Sequence, residues 1–329
     1  MSQLLLPLGI IAAGFFIGIM VRRIQHRLAP DRGSLLIGSI MARILQLTVT
    51  LVFPLCFVAI FWNVDLKNVK LFVLPFLGVF ALVSGGLMAI GAAKLLKLDR
   101  KQTGSMFSLG ACTNIGSIGM IVCFALLGEE SLALVGLYKL FEEFVYYLFV
   151  FPAAKSFSLE PDANRSEKRS ERITKLLKDP YILISFSAIA VGVALNLSGL
   201  ERPGFIGRSV GGLVSVGAFL MTLVFGYSNR IASIKRYLKA GAAIAVIKYA
   251  LVPTAVVLLG FLAGLGSVQD GLALKTLAIL ASMSPAFTSL VPPRLYQLDM
   301  DLADAGWLFG TVLLVAVVPI QYMLVTWVL

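Results

Sequence analysis

Ten stretches of this chain run for about the length of a bilayer-crossing helix with few or no charges: 4–21, 44–63, 71–93, 103–128, 131–154, 181–200, 209–229, 240–266, 276–293 and 305–329. A helix needs roughly 20 apolar residues to span about 30 Å of hydrocarbon, so each run is a transmembrane helix by length. Fifty-nine per cent of the 329 residues are hydrophobic, 14% are charged, and the mean hydropathy is +0.93. No soluble domain of this size needs so much apolar surface. The expected fold is an all-α membrane protein with ten transmembrane helices. The first run is read as a retained helix and not a leader, because no basic segment precedes it and Arg22-Arg23 follow it.

The basic residues fix an orientation. Of the 28 Lys and Arg, twenty fall in the odd-numbered loops, five (Lys67, Lys70, Arg202, Arg208, Lys275) fall in the even-numbered ones, and Arg43, Lys139 and Lys248 lie inside runs. Positive charge marks the cytoplasmic side, so the odd loops face the cytoplasm of a plasma (bacterial inner) membrane and both termini face outside. The net charge of +11 is then a topology signal and an attraction to anionic lipid, with no nucleic-acid partner implied.

The longest hydrophilic stretch, 155–179, separates five runs from five. It reads as a cytoplasmic linker between two repeats, 1–154 and 180–329. With an odd number of helices in each, the second repeat enters the membrane from the opposite side, so any likeness between them is an inverted repeat.

Two runs are interrupted at corresponding positions. The fourth is broken around Thr113, Asn114, Gly116, Ser117 and Gly119, and the ninth around Ser284, Pro285, Ala286 and Thr288, with Pro292-Pro293 beyond. Glycine and proline at mid-membrane spoil a plain anchor, and irregular backbone there survives only where protein or a watery cavity satisfies it. Paired interruptions in two halves point to a transporter's binding site. The half-helix after each break offers free N–H groups and a positive dipole end, which suits a carboxylate. The competing reading is that these small residues only let helices pack closely.

The fifth run carries Lys139, Glu142, Glu143 and Tyr146, which share one face of a continuous helix. Each charge at that depth costs roughly 2.5 to 3.5 kcal/mol, so the three must pair or line water. One reading is a structural Lys139 to Glu143 ion pair. The other makes Glu142 or Glu143 a proton-coupling site, with Lys248 of the eighth run as a further partner. Lys248 itself is read either as snorkelling to the interface or as pairing with substrate or carboxylate. The single histidine, His26, excludes histidine-based metal clusters and triads, and Cys56, Cys112 and Cys123 read as small buried hydrophobes. No enzyme chemistry, cofactor or metal site is expected.

In order and spacing, Gly14-Phe-Phe-Ile-Gly-Ile-Met-Val-Arg-Arg23, Leu51-Val-Phe-Pro-Leu55, Asn114-Ile-Gly-Ser-Ile-Gly119, Lys178-Asp-Pro180, Met283-Ser-Pro-Ala286 and Tyr296-Gln-Leu-Asp299 resemble the auxin efflux carrier family of membrane transporters along essentially the whole chain. The resemblance implies a ten-helix fold related to that of bile acid/sodium symporters, with helices four and nine crossing at their breaks. It also implies small organic anions as substrates. The chain departs from the family at Met120, where a proline is common, and at Thr288, where an asparagine is frequent. Two function classes follow. The first is a secondary carrier of carboxylates such as malate, malonate or auxin-like weak acids, coupled to H+ or Na+. The second is a membrane receptor or channel-like protein that binds the same ligands without coupled transport. A homodimer is compatible with the glycine-containing apolar helices.

Overall fold

The computed structural model describes residues 2–28, 32–63, 68–158, 180–228 and 234–327. The linker beyond residue 158, Lys178-Asp179, Lys67, Arg230 and the side chain of His26 lie outside the described residues. In chain order the helices are α1 (Ser2–Leu28), α2 (Arg32–Leu47), α3 (Phe53–Phe61), α4 (Leu74–Leu95), α5 (Arg100–Ala111), α6 (Met120–Leu127), α7 (Glu130–Tyr138) and α8 (Glu142–Val145). They continue as α9 (Phe151–Lys155), α10 (Pro180–Leu197), α11 (Gly204–Ser228), α12 (Leu238–Val246), α13 (Val252–Leu262), α14 (Leu272–Ala281), α15 (Val291–Leu295) and α16 (Met300–Trp327). Among the described residues the one β-type contact is a bridge between Thr113 and Pro285.

Five helical segments are long and apolar enough to cross a membrane: Leu36–Phe61, Val69–Leu95, Gly204–Ser228, Leu238–Leu262 and Met300–Thr326. Further apolar helices, Ile115–Leu127, Phe186–Leu197 and Leu272–Ala281, are shorter. The protein is therefore an all-helical, membrane-embedded one.

Prolines shape the long helices in a repeated way. Wide π-helical turns at Thr48–Val52, Tyr146–Val150 and Ile247–Leu251 each run into a helix whose second residue is proline: Pro54, Pro152 and Pro253. A proline within a helix lacks the N–H for its i−4 carbonyl, and its ring clashes with that carbonyl. Widening the preceding turn removes the clash while the chain stays helical, and such π bulges occur often at functional sites. Tyr146 and Lys248 lie within two of these turns.

The helices divide into two compact units, each drawing on both sequence halves. One comprises α1 to α3, α6, the first residues of α7, α10 and α11; the other holds α4, α5, the remainder of α7 with α8 and α9, and α12 to α16. The contact units thus do not follow the boundary at 155–179, because helices distant in sequence bury their faces against one another. In the first unit, Gly14-x-x-x-Gly18 of α1 lies directly on α11. A Cβ at Gly18 would stand 2.2 Å from the Leu223 carbonyl oxygen, and one at Gly226 would stand 2.1 Å from that of Phe15. Only residues without a Cβ allow this approach, as in small-xxx-small helix pairs. Arg202 joins the Glu129 carboxylate and the Ala59 carbonyl in the same unit.

In the second unit α4 and α5 meet the same way, Gly85 against Gly110. The starts of α5 and α16 are built alike. Lys97 and Gln297 both take left-handed φ, 54° and 53°, and Leu98 and Leu298 each return an N–H to the carbonyl five residues back. Asp99 and Asp299 then cap the next helix. The two ends are also bonded together: Asp299 accepts from Gln102 Nε2 at 3.3 Å and from Tyr237 Oη at 2.9 Å, while its carbonyl accepts from Ser105 Oγ at 2.8 Å. This gives Tyr296-Gln-Leu-Asp299 a mechanical role.

Candidate functional site

Every candidate residue named from the sequence falls in the second unit: Thr113, Asn114, Gly116, Ser117 and Gly119; Lys139, Glu142 and Glu143; Lys248; Ser284, Pro285, Ala286 and Thr288. The two broken segments meet there. After α5 ends at Ala111 the chain is extended, and Cys112 to Asn114 lies antiparallel to Ser284 to Ala286. The Asn114 N–H donates to the Ser284 carbonyl at 2.9 Å, and the Ala286 N–H donates to the Cys112 carbonyl at 3.2 Å. Thr113 and Pro285 face each other between these bonds. That is the non-hydrogen-bonded position of an antiparallel pair, the place where a proline's missing N–H costs nothing.

The same geometry turns the backbone N–H and C=O of Thr113 away from Pro285. They meet the hydroxyl of Tyr146, with Thr113 N at 3.3 Å and Thr113 O at 3.4 Å. Tyr146 also donates to Glu142 Oε1 at 2.6 Å. The other oxygen, Oε2, lies 3.5 Å from Lys139 Nζ. Lys139 in turn arches over Gly116, whose Cβ, if present, would stand 3.1 Å from Nζ. From the opposite side Lys248 donates to Thr113 Oγ1 at 2.6 Å. A continuous polar chain therefore runs Lys139, Glu142, Tyr146, Thr113, Lys248.

Two expectations change here. Lys248 is 1% exposed, so its ammonium does not snorkel; it is held at the first break by a hydroxyl. The fifth run is not one continuous helix either. It breaks at the turn between Tyr138 and Glu142, and this turn brings Glu142 against Lys139. Glu143 is half-buried, next along the chain.

The remaining polar groups at the crossing divide into satisfied and unsatisfied. Ser117 Oγ donates to Asn114 Oδ1, which also receives the Ile118 N–H at 3.4 Å, and the Gly119 N–H closes on the Asn114 carbonyl at 3.0 Å. Asn114 Nδ2 and Ser284 Oγ, on residues 4% and 0% exposed, have no hydrogen-bond partner among the described residues. Leaving such a group buried and unmade costs about 1 to 3 kcal/mol. Thr288 is half-buried in the single turn Phe287–Leu290.

No protein-family model matches this sequence, and no curated protein matches it. The site is therefore read from its own chemistry. It presents two cationic groups, two unsatisfied amide and hydroxyl groups, and one carboxylate bonded to a phenol. Among the described residues no group of three or more His, Cys, Asp or Glu side chains stands ready to hold a metal ion.

Two residues of consequence carried no assigned role in the sequence reading. Tyr146 shared the charged face, and the signal that would have singled it out is Pro152, which forces the π turn that Tyr146 opens. Gln321 of α16 donates to the Ser282 carbonyl at 3.1 Å and to Ser282 Oγ at 2.8 Å, closing the frayed end of α14 just before the second break. Its signal is a lone amide within an apolar helix, two residues after Pro319.

Proposed function

We propose that the protein is a secondary transporter that carries small organic anions across the membrane by alternating access, with the substrate bound where the fourth and ninth spans cross at their breaks. The observation that carries this reading is the pairing of Cys112 to Asn114 with Ser284 to Ala286, beside the buried Lys248 ammonium and the unsatisfied Asn114 Nδ2 and Ser284 Oγ. Unsatisfied donors beside a buried ammonium at membrane depth suit a carboxylate, which supplies acceptor oxygens only. Breaks of this kind carry the substrate sites of many transporters.

In this reading the chain has ten spans as two inverted five-helix repeats, in the manner of the auxin efflux carrier family it resembles. It sits in the plasma (bacterial inner) membrane with both termini outside. The substrate is a carboxylate of the malate, malonate or indole acetate type. Glu142 is the coupling carboxylate and H+ the coupling ion, because its partners are a phenol and an ammonium, which suit proton exchange better than an oxygen cage for sodium. All the site residues belong to one compact unit.

Ligand-induced thermal stabilisation of the detergent-solubilised protein tests the site. Malonate, malate or indole acetate is expected to raise the apparent Tm of wild type, and to lose that effect in Asn114→Ala and Ser284→Ala. Stabilisation that persists in both variants would remove the crossing as the binding site.

A further inference from the structure

The hydroxyl of Tyr146 has one proton and two acceptors within reach. Glu142 Oε1 lies 2.6 Å away and the Thr113 carbonyl oxygen 3.4 Å away, while the Thr113 N–H points at the phenol oxygen from 3.3 Å. A carboxylate is the stronger acceptor and the shorter contact, so with Glu142 ionised the phenol proton lies on the Glu142 side. The phenol oxygen then accepts from Thr113. When Glu142 takes up a proton, its new O–H donates to the phenol oxygen, and the phenol proton turns to the Thr113 carbonyl. That carbonyl already receives the Ile115 N–H at 2.9 Å. The one covalent bond formed is the O–H on Glu142, its proton delivered from water, and the phenol O–H only rotates. The outcome is a different bonding pattern on the backbone that pairs with Pro285 and holds Lys248 through Thr113 Oγ1.

We propose that Tyr146 is a positioning residue that transmits the protonation state of Glu142 to the Thr113 backbone, so that proton binding and anion binding at the crossing depend on each other. This rests on the reading of the crossing as an anion site and adds the part that links it to the proton. Each step is anchored. Tyr146 is 2% exposed, and its place at the start of a π turn is fixed by Pro152. The groups that face Glu142 are Lys139 and Tyr138 from α7 and its following turn, Tyr146 from the π turn, Cys112 from the first break, and Lys248 from the π turn after α12. Glu143 adjoins it in sequence, and the stretch of α4 from Leu74 to Ala93 brings no titratable side chain. An anion arriving at the crossing and a carboxylate ionised at Glu142 compete for the same ammonium groups, Lys139 and Lys248. Anion binding and Glu142 protonation are thereby made to favour each other.

The test uses full-length protein with Tyr146→Phe, which removes the hydroxyl and keeps the ring, and with Glu142→Gln. Counterflow of labelled malate, malonate and indole acetate is measured from acidic to alkaline pH, together with infrared difference spectra of the same samples. One linked proton makes wild-type apparent affinity fall by up to about tenfold per pH unit on the alkaline side of the titration. Both variants are expected to flatten this to less than about twofold. The infrared spectrum is expected to show a carboxylic C=O band on acidification that is missing in Glu142→Gln and displaced in Tyr146→Phe. An unaltered pH profile in Tyr146→Phe, or a band at the same frequency as in wild type, overturns the role of Tyr146. If wild type counterflows none of the three anions, the transport reading falls. The infrared band then decides the Tyr146 relay by itself.

Discussion

Thr113→Val isolates the Lys248 contact. Valine has nearly the shape of threonine, so packing is conserved, but the Oγ1 acceptor 2.6 Å from a 1% exposed ammonium is lost. A hydrogen bond to a charged group is worth about 1.5 to 3 kcal/mol, and a buried charge left without its partner costs at least that much. At about 2 to 4 °C per kcal/mol for a domain of 150 to 250 residues, the apparent Tm falls by about 3 to 12 °C. The protein carries its own probe: Cys56, Cys112 and Cys123 are free and buried, so a thiol-reactive dye reports unfolding directly. Thr113→Ser keeps the hydroxyl and should stay near wild type. Lys248→Met in the Thr113→Val background removes both partners, and the double variant should be less destabilised than the two single losses combined. The reasoning is refuted if Thr113→Val melts with wild type, or if the two substitutions add. Either result would mean that the ammonium finds its stabilisation elsewhere.

Gly18→Leu is expected to sharply reduce folded yield, since its side chain meets the α11 backbone at Leu223, whereas Gly9→Ala, with nothing within 4 Å, should be neutral or slightly stabilising; size-exclusion profiles decide. Asp299→Ala removes the cap of α16 and the bonds from Tyr237 and Gln102, and should lower the apparent Tm, the cap alone being worth about 0.5 to 2 kcal/mol. Burial, with Asp299 beside it, raises the Tyr237 hydroxyl above its ordinary titration range. A raised folded value means that the contribution is present at neutral pH and lost as pH climbs through that value, so Tyr237→Phe should blunt the alkaline loss of stability seen in wild type. Replacing sodium by choline should leave counterflow unchanged, and a sodium requirement would contradict Glu142 as a proton site.

Much of the fold could be read from local sequence because the bilayer imposes it locally. Among the described residues, five of the ten apolar runs hold helices long enough to cross a membrane, and the breaks at Asn114 and Pro285 sit where glycine, proline and small polar residues collect. The partners at the breaks could not be read this way. Thr113 meets Pro285 and Lys248 across more than 130 residues, and nothing in either segment encodes which distant backbone will satisfy it. The interruption at Lys139 to Phe141 was equally hidden, since it contains no glycine or proline and the helical pattern continues through it. This concealed the approach of Glu142 to Lys139, because a turn inside the run changes which side chains share a face. The prolines were visible but underused. Pro152 and Pro253 widen the turns that present Tyr146 and Lys248, so a mid-span proline is also a pointer to the residues up to six positions before it.

Counterflow into proteoliposomes loaded with unlabelled malate, malonate or indole acetate tests the central claim most directly, with wild type and Asn114→Ala compared at equal reconstitution. The account predicts saturable accumulation of at least one labelled anion by wild type, lost in Asn114→Ala. Binding of the same anion without any counterflow, by folded wild-type protein, would contradict a carrier and identify a receptor.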